Sequence, residues 1–200
     1  MRRPALVLAS ASPRRAALLR LVGLPFVRRP VRIDERLEPG EPPRQAVLRL
    51  AREKARVALA VREETDRLVL ACDTLVVRGD RVFGKPADPA DARAMLESLS
   101  GGWHEVVTGI VLARTPAMLD ARRATTAVRF ARLTSDEIER YVAGREPLDK
   151  AGAWAIQGAG AWFVEEIRGS VTNVIGLPLE LLRAMLADAG HPGPRLASFQ

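Results

Sequence analysis

The chain has 200 residues, 48% apolar and 28% charged, a balance that excludes disorder and leaves length for a substantial core. No apolar run approaches the roughly 20 residues of a membrane span, and the single cysteine, Cys72, excludes an internal disulfide or a cysteine-built metal cluster. The net charge of +7 points to an anionic partner, yet 28 of the 31 basic residues are Arg, a compositional bias more than a designed basic patch.

MRRPALVLAS starts basic, but its apolar run is too short for a signal peptide, so a cytoplasmic setting is expected. Ala5 to Ala9 reads as a short buried strand. Ser12 suits an N-cap and Pro13 the first position of a helix to Val22. Pro25 to Ile33 is an extended segment ending at Asp34-Glu35. A Pro/Gly-rich turn through Pro43 precedes a long helix from about Arg44 to Glu64. Leu68 to Val77 is an apolar strand, and a turn at Arg78–Arg81 leads to a short strand at Val82-Phe83. Asp88 caps a helix that opens on Pro89 and stops near Gly101. Trp103 to Ala113 and Ala124 to Leu133 read as hairpin strands with a loose connection. Thr134 to Glu137 is a capping box for a helix ending at Gly144. Ala161 to Ile167 reads as a strand, Pro178 to Ala187 as the last helix, and residues 191–200 as a mobile tail. Alternating strands and helices, with hairpins in the second half, predict an α/β fold on a mixed sheet. Residues 1–190 read as one domain.

Several positions break the pattern around them. Asp73 interrupts the apolar run LVLACDTLVV, where an ionised carboxylate is expensive without compensation. It either serves a site, with a metal or cation beside it, or opens a bulge or accepts backbone hydrogen bonds. Lys54 lies on the apolar stripe Val47, Leu50, Val57, Val61. It either snorkels past the core edge or points at an anion. In a chain that uses Arg almost everywhere, Lys54, Lys85 and Lys150 are candidates for sites needing a compact ammonium. Lys85 occupies the stiff turn Phe83-Gly84-Lys85-Pro86, where glycine allows close backbone approach. Lys150 opens a segment that is either a plain connector or a site loop, in which Gln157 could read the edge of a base. Asp34-Glu35 offers further carboxylates. Arg14 and Arg15 occupy the first helical turn, where the dipole disfavours cations unless an external anion binds.

Carboxylates among so many cations suit a nucleoside triphosphate with its divalent metal, because Mg²⁺ prefers one or two carboxylates plus phosphate oxygens. Other chemistries fail. His104 and His191 are far apart, no Walker motif is present, and Ser10, Ser12 and Ser170 lack a histidine partner. Cys72 reads as a small buried side chain. Trp103, Trp154 and Trp162 read as core or hairpin packing. With only 4% aromatics and no basic stripe among them, nucleic acid is not the expected partner.

LASASPRR, LRLAREKA, ACDTLVV, GKPADPADARAMLESLSG, EPLDKAGAWAIQG and GSVTNVIGLPL occur in that order. Together, over roughly Leu6 to Leu186, they resemble the Maf family of nucleoside triphosphate pyrophosphatases, also described as septum-formation inhibitors. The resemblance implies an inosine-triphosphatase-like fold of two lobes around a central cleft. It implies hydrolysis between the α- and β-phosphates, with Mg²⁺ or Mn²⁺ as cofactor. Asp73 would be the general base and, with Glu35, a metal ligand. Arg14, Arg15, Lys54 and Lys85 would contact phosphates, and Arg14, Thr74 and Gln157 would tune base preference. Asp149 and Lys150 would line the same cleft. The EPLDKAGAWAIQG segment resembles the branch acting on dTTP and UTP; the branch acting on 7-methyl-GTP differs there. Trp154, Ala155 and Val171 depart from the residues usual in the family. A homodimer is compatible with the resemblance, as is a rival role as a triphosphate-binding regulator of division without turnover.

Overall fold

The computed structural model describes residues 5–60, 67–114, 117–144 and 146–194. Its elements in chain order are β1 (Ala5–Leu8), α1 (Pro13–Leu21), β2 (Phe26–Arg28), α2 (Pro43–Ala60), β3 (Arg67–Arg78), β4 (Arg81–Phe83), α3 (Pro89–Leu99), β5 (Trp103–Arg114), β6 (Ala117–Phe130), α4 (Ser135–Ala143), β7 (Val164–Arg168), α5 (Val171–Ile175) and α6 (Leu179–Asp188). The local start signals act as their chemistry dictates. Ser12 Oγ accepts from Arg15 N–H at the head of α1, and Asp88 Oδ1 accepts from Asp91 N–H at the head of α3. Thr134 and Glu137 form a reciprocal capping box on α4.

The seven strands make one mixed sheet, flanked by helices, in the order β2-β1-β3-β5-β6-β7, with β4 on β3. β1 runs parallel to both β2 and β3, while β3–β4 and β6–β7 are antiparallel. The chain forms two compact units: Met1–Asp73, Thr108–Ala124 and Gly176–Gln200 make one, Thr74–Val107 and Thr125–Ile175 the other.

In the first unit the core between α2 and the strands is built from small side chains, Ala51 and Ala55 against Val7, Ala9, Val69, Ala71, Val111 and Ala113. Gly109 on β5 lies so close to α2 that a Cβ there would overlap the Val47 carbonyl. Small residues on both sides let the helix approach the sheet closely. The second unit has an aromatic core, in which Phe130 stacks edge-on with Trp154 at 4.9 Å and with Phe163 at 5.9 Å.

Several expectations change. Val57 is 41% exposed, because the buried face of α2 runs through Ala46, Val47, Leu50, Ala51, Lys54 and Ala55. Val61 and the predicted helix end at Glu64 lie outside the described residues, as do the hairpin connection at 115–116 and the tail from residue 195. β6 starts at Ala117 instead of Ala124; its charged residues hid it, since Arg122 ion-pairs with both Asp120 and Asp188. Residues Ala159–Phe163 form a 3-10 turn, so the last strand begins at Val164 and Trp162 is 82% exposed, not packed. Gly84 has open space around it, not the close backbone approach expected there. His191, at the start of the predicted tail, is buried, and its amide donates to the Leu186 carbonyl at 2.8 Å. No helix among the described residues is long and apolar enough to cross a membrane.

Candidate active site

Asp73 ends the part of β3 that belongs to the first unit, within a run buried from Leu68 to Asp73. α2, seated closely by its alanines, delivers Lys54 to it. Lys54 Nζ lies 2.6 Å from Asp73 Oδ1 and 2.6 Å from Glu35 Oε1. The lysine therefore does not snorkel outward; it joins a buried carboxylate to a half-exposed one. Burying charge costs several kcal/mol per ion unless a close partner offsets it, and here each buried charge has one. The trio carries a formal charge of −1, which favours a cation nearby. Asp34, the neighbour of Glu35, turns away and pairs with exposed Arg36 at 2.6 Å.

Two carboxylates, one buried and one facing solvent, are the donor set magnesium accepts when phosphate oxygens and water complete its shell. Among the described residues no three His, Cys, Asp or Glu side chains converge as a protein cage. The residues present thus fit a divalent ion shared with a ligand better than a resident structural ion.

The two arginines of the first turn part company. Arg14 is half-buried at the head of α1. Arg15 is buried, and its guanidinium donates from Nε to the Gly176 carbonyl at 2.8 Å. Its Nη1 donates to the Cys72 carbonyl at 2.9 Å and to Ser10 Oγ at 3.1 Å. Ser10 Oγ also accepts from Ser12 N–H at 3.1 Å, so the whole turn is knitted to β3 one peptide bond before Asp73. Cys72 itself is fully buried, and burial pushes its thiol up to about 11, which makes it inert at neutral pH.

The second unit holds the other expected residues. Thr74 follows Asp73 on β3 and is half-buried, whereas Lys85 and Gln157 are exposed. The Gly84 carbonyl, next to Lys85, accepts from Gly152 N–H at 3.0 Å. This ties the Lys85 turn to the 3-10 segment Ala151–Ala153. Gly152 has φ +70 with Val76 side-chain carbons 3.0 Å from where a Cβ would be, so position and space both require glycine. Lys150 Nζ donates to the Glu146 carbonyl at 3.2 Å and pairs with Asp149. The structure thus groups Glu35, Lys54, Asp73 and the Arg14–Arg15 turn in one unit, and Lys85, Asp149, Lys150 and Gln157 in the other.

One structural participant escaped the sequence reading. Glu146 holds the Gln157 segment, and the signal was the pair Gly158 and Gly160, whose spacing fits no dinucleotide fingerprint. His104 is buried beside Phe130 and Trp154, with no hydrogen-bond partner at either nitrogen among the described residues. Burial first, and then the Arg78 charge, push it down to about 4, so it is a neutral core residue.

A family model described as "Maf-like protein" matches residues 5–189. A dTTP/UTP pyrophosphatase of Anaeromyxobacter dehalogenans (strain 2CP-C) is 55% identical over 194 residues, covering 96% of this chain and 97% of its own. One of Moorella thermoacetica is 52% identical over 186 residues, covering 92% and 95%. A solved nucleoside-triphosphatase / dITP/XTP pyrophosphatase of Mycobacterium abscessus spans 94% of this chain and all of its own, at 17% identity and a TM-score of 0.43.

Proposed function

The chain belongs to the Maf-like protein family, and from that premise we propose that it is a hydrolase that splits dTTP and UTP into the nucleoside monophosphate and pyrophosphate. The observation that carries the reading is the Glu35–Lys54–Asp73 trio, built where two carboxylates and an ammonium can receive a metal-bound triphosphate. Similarity to dTTP/UTP pyrophosphatases over nearly the whole chain supports the substrate.

Water adds to the α-phosphorus, the bond from that phosphorus to the bridging oxygen breaks, and pyrophosphate leaves with the electron pair. Asp73 accepts the proton of the attacking water at its carboxylate. Glu35 and Asp73 would hold a magnesium or manganese ion, which supplies neutralisation of the phosphate charge. Lys54 Nζ, held between the two carboxylates, supplies an ammonium to the phosphate chain. Lys85 and Arg14 add fixed positive charge, which stabilises the oxygens as charge develops on them. Arg15 is assigned a bracing role through Cys72, not a phosphate contact. By the family resemblance Thr74, Gln157 and Arg14 are assigned to base preference, and Asp149 and Lys150 belong to the segment that leads to Gln157. The substrate is a small nucleotide, not a nucleic acid, and the setting is cytoplasmic; a homodimer is compatible with this chemistry.

The test is pyrophosphate release from dTTP, UTP, CTP, GTP and 7-methyl-GTP with Mg²⁺ or Mn²⁺, with Asp73→Asn alongside. Release from dTTP and UTP that collapses in the variant is expected. Turnover of 7-methyl-GTP alone would overturn the pyrimidine assignment. Binding without release from any nucleotide would replace the enzyme with a triphosphate-binding regulator.

A further inference from the structure

Gln157 is exposed, lies in a turn outside any helix or strand, and is followed by Gly158. A residue that reads a base must nevertheless be fixed, because discrimination depends on a donor or acceptor that does not follow the wrong partner. A carboxylate bridge reaches the main chain close to it. Tyr141 Oη on α4 donates to Glu146 Oε1 at 2.9 Å, and Glu146 Oε2 accepts from Ala159 N–H at 3.1 Å. One carboxylate therefore spans from the helix to the main chain two residues beyond Gln157.

The fit leaves no room for side chains. A Cβ on Gly158 would overlap the Glu146 carboxylate, and one on Gly160 would lie 2.8 Å from Tyr141 Oη and 2.8 Å from the Ala155 carbonyl. Gly158-Ala159-Gly160 is thus main chain laid directly on the Tyr141–Glu146 pair. Tyr141 is itself anchored, edge-on against Phe163 at 4.9 Å. Burial, and then Glu146, raise its pKa, so the phenol stays a donor across the neutral range. The Glu146 carbonyl also accepts from Lys150 Nζ, so one residue contacts both Lys150 and the main chain just after Gln157.

We propose that Glu146 is a specificity-positioning residue: its carboxylate, shared between the Tyr141 hydroxyl and the Ala159 amide, orients Gln157 and so sets base preference without touching nucleotide. The inference rests on the reading of Gln157 as the base-facing residue. The experiment measures kcat/KM for pyrophosphate release from dTTP, UTP, CTP and GTP. It compares the unaltered protein with Gln157→Ala, Glu146→Ala, Glu146→Gln and the Glu146→Ala/Gln157→Ala pair. The expected result is that Gln157→Ala and Glu146→Ala each shrink the ratio of dTTP to CTP by about tenfold, the size of one well-placed hydrogen bond. The pair should shrink it no further, because both changes act through one side chain. Glu146→Gln should retain most of the ratio, since the amide oxygen can accept from Ala159 N–H while the NH2 donates to the Tyr141 hydroxyl oxygen, whose proton turns away.

An equal loss for every nucleotide in Glu146→Ala, with the ratio kept, overturns the proposal and leaves a merely structural glutamate. An unchanged ratio in Gln157→Ala removes the underlying assignment and the proposal with it. If Glu146→Ala does not fold, Tyr141→Phe removes one hydroxyl and keeps the ring stack; a shifted ratio there supports the clasp and an unshifted one overturns it.

Discussion

Lys54 Nζ lies 2.6 Å from Asp73 Oδ1, and each of these side chains is only 9% exposed. Removing one member of such a pair strands the other charge in the core, a change that destabilises by about 3–5 kcal/mol. Lys54→Met is therefore expected to lower the urea midpoint sharply and to abolish pyrophosphate release. Lys54→Met with Asp73→Leu should recover most of the stability and none of the activity. A single variant as stable as the unaltered protein would show that the pair is not sequestered from water.

Arg14 and Arg15 are adjacent in sequence and differently placed, Arg14 half-buried and Arg15 buried. Arg15 holds the carbonyl that precedes Asp73, so Arg15→Lys, which keeps a charge but not the fork, should lower kcat about tenfold with little change in KM. Arg14→Ala should instead raise KM, as expected of a group that meets phosphate. Steady-state kinetics on dTTP checks both, and a purely KM effect in Arg15→Lys would return that residue to the phosphate contacts.

What was legible in the sequence was local. Ser12, Asp88 and Thr134 announce helix starts because a cap needs only its own next three residues. Asp73 and Lys54 each stood out by violating an apolar pattern. Their meeting was not legible, since it depends on Ala51, Ala55 and Gly109 letting α2 settle on the sheet. The direction of Arg15 was hidden for the same reason: composition records a charge, while two of its acceptors, the Cys72 and Gly176 carbonyls, are distant in sequence. Glu146 was missed because a carboxylate in a loop disturbs no periodicity.

His104 makes stability depend on pH in a definite direction. Its folded pKa is pushed down to about 4 from 6.5, so between those values the unfolded chain binds a proton that the folded chain does not. Stability from this residue is complete above pH 6.5 and falls as pH drops towards 4, by about 3 kcal/mol. His104→Phe, which keeps an aromatic ring beside Phe130 and Trp154, should lose that part of the acid limb in urea melts from pH 7 to 4. Parallel curves for the two proteins would remove His104 as the cause.

Gly109 tests whether close packing of α2 is what seats Lys54 against Asp73. A Cβ there would overlap the Val47 carbonyl, which is helix backbone and cannot rotate away, so Gly109→Ala must push α2 outward. Overpacking of that kind costs about 1–3 kcal/mol. The shift should reach Lys54 two turns further along α2 and loosen its hold on Asp73. Pyrophosphate release well below the melting temperature is therefore expected to fall along with stability. Gly84→Ala supplies the control, because that glycine has open space and no positive φ, so its melting temperature should match that of the unaltered protein. A Gly109→Ala protein that is less stable yet fully active would mean that Lys54 keeps its grip on Asp73 when the helix moves.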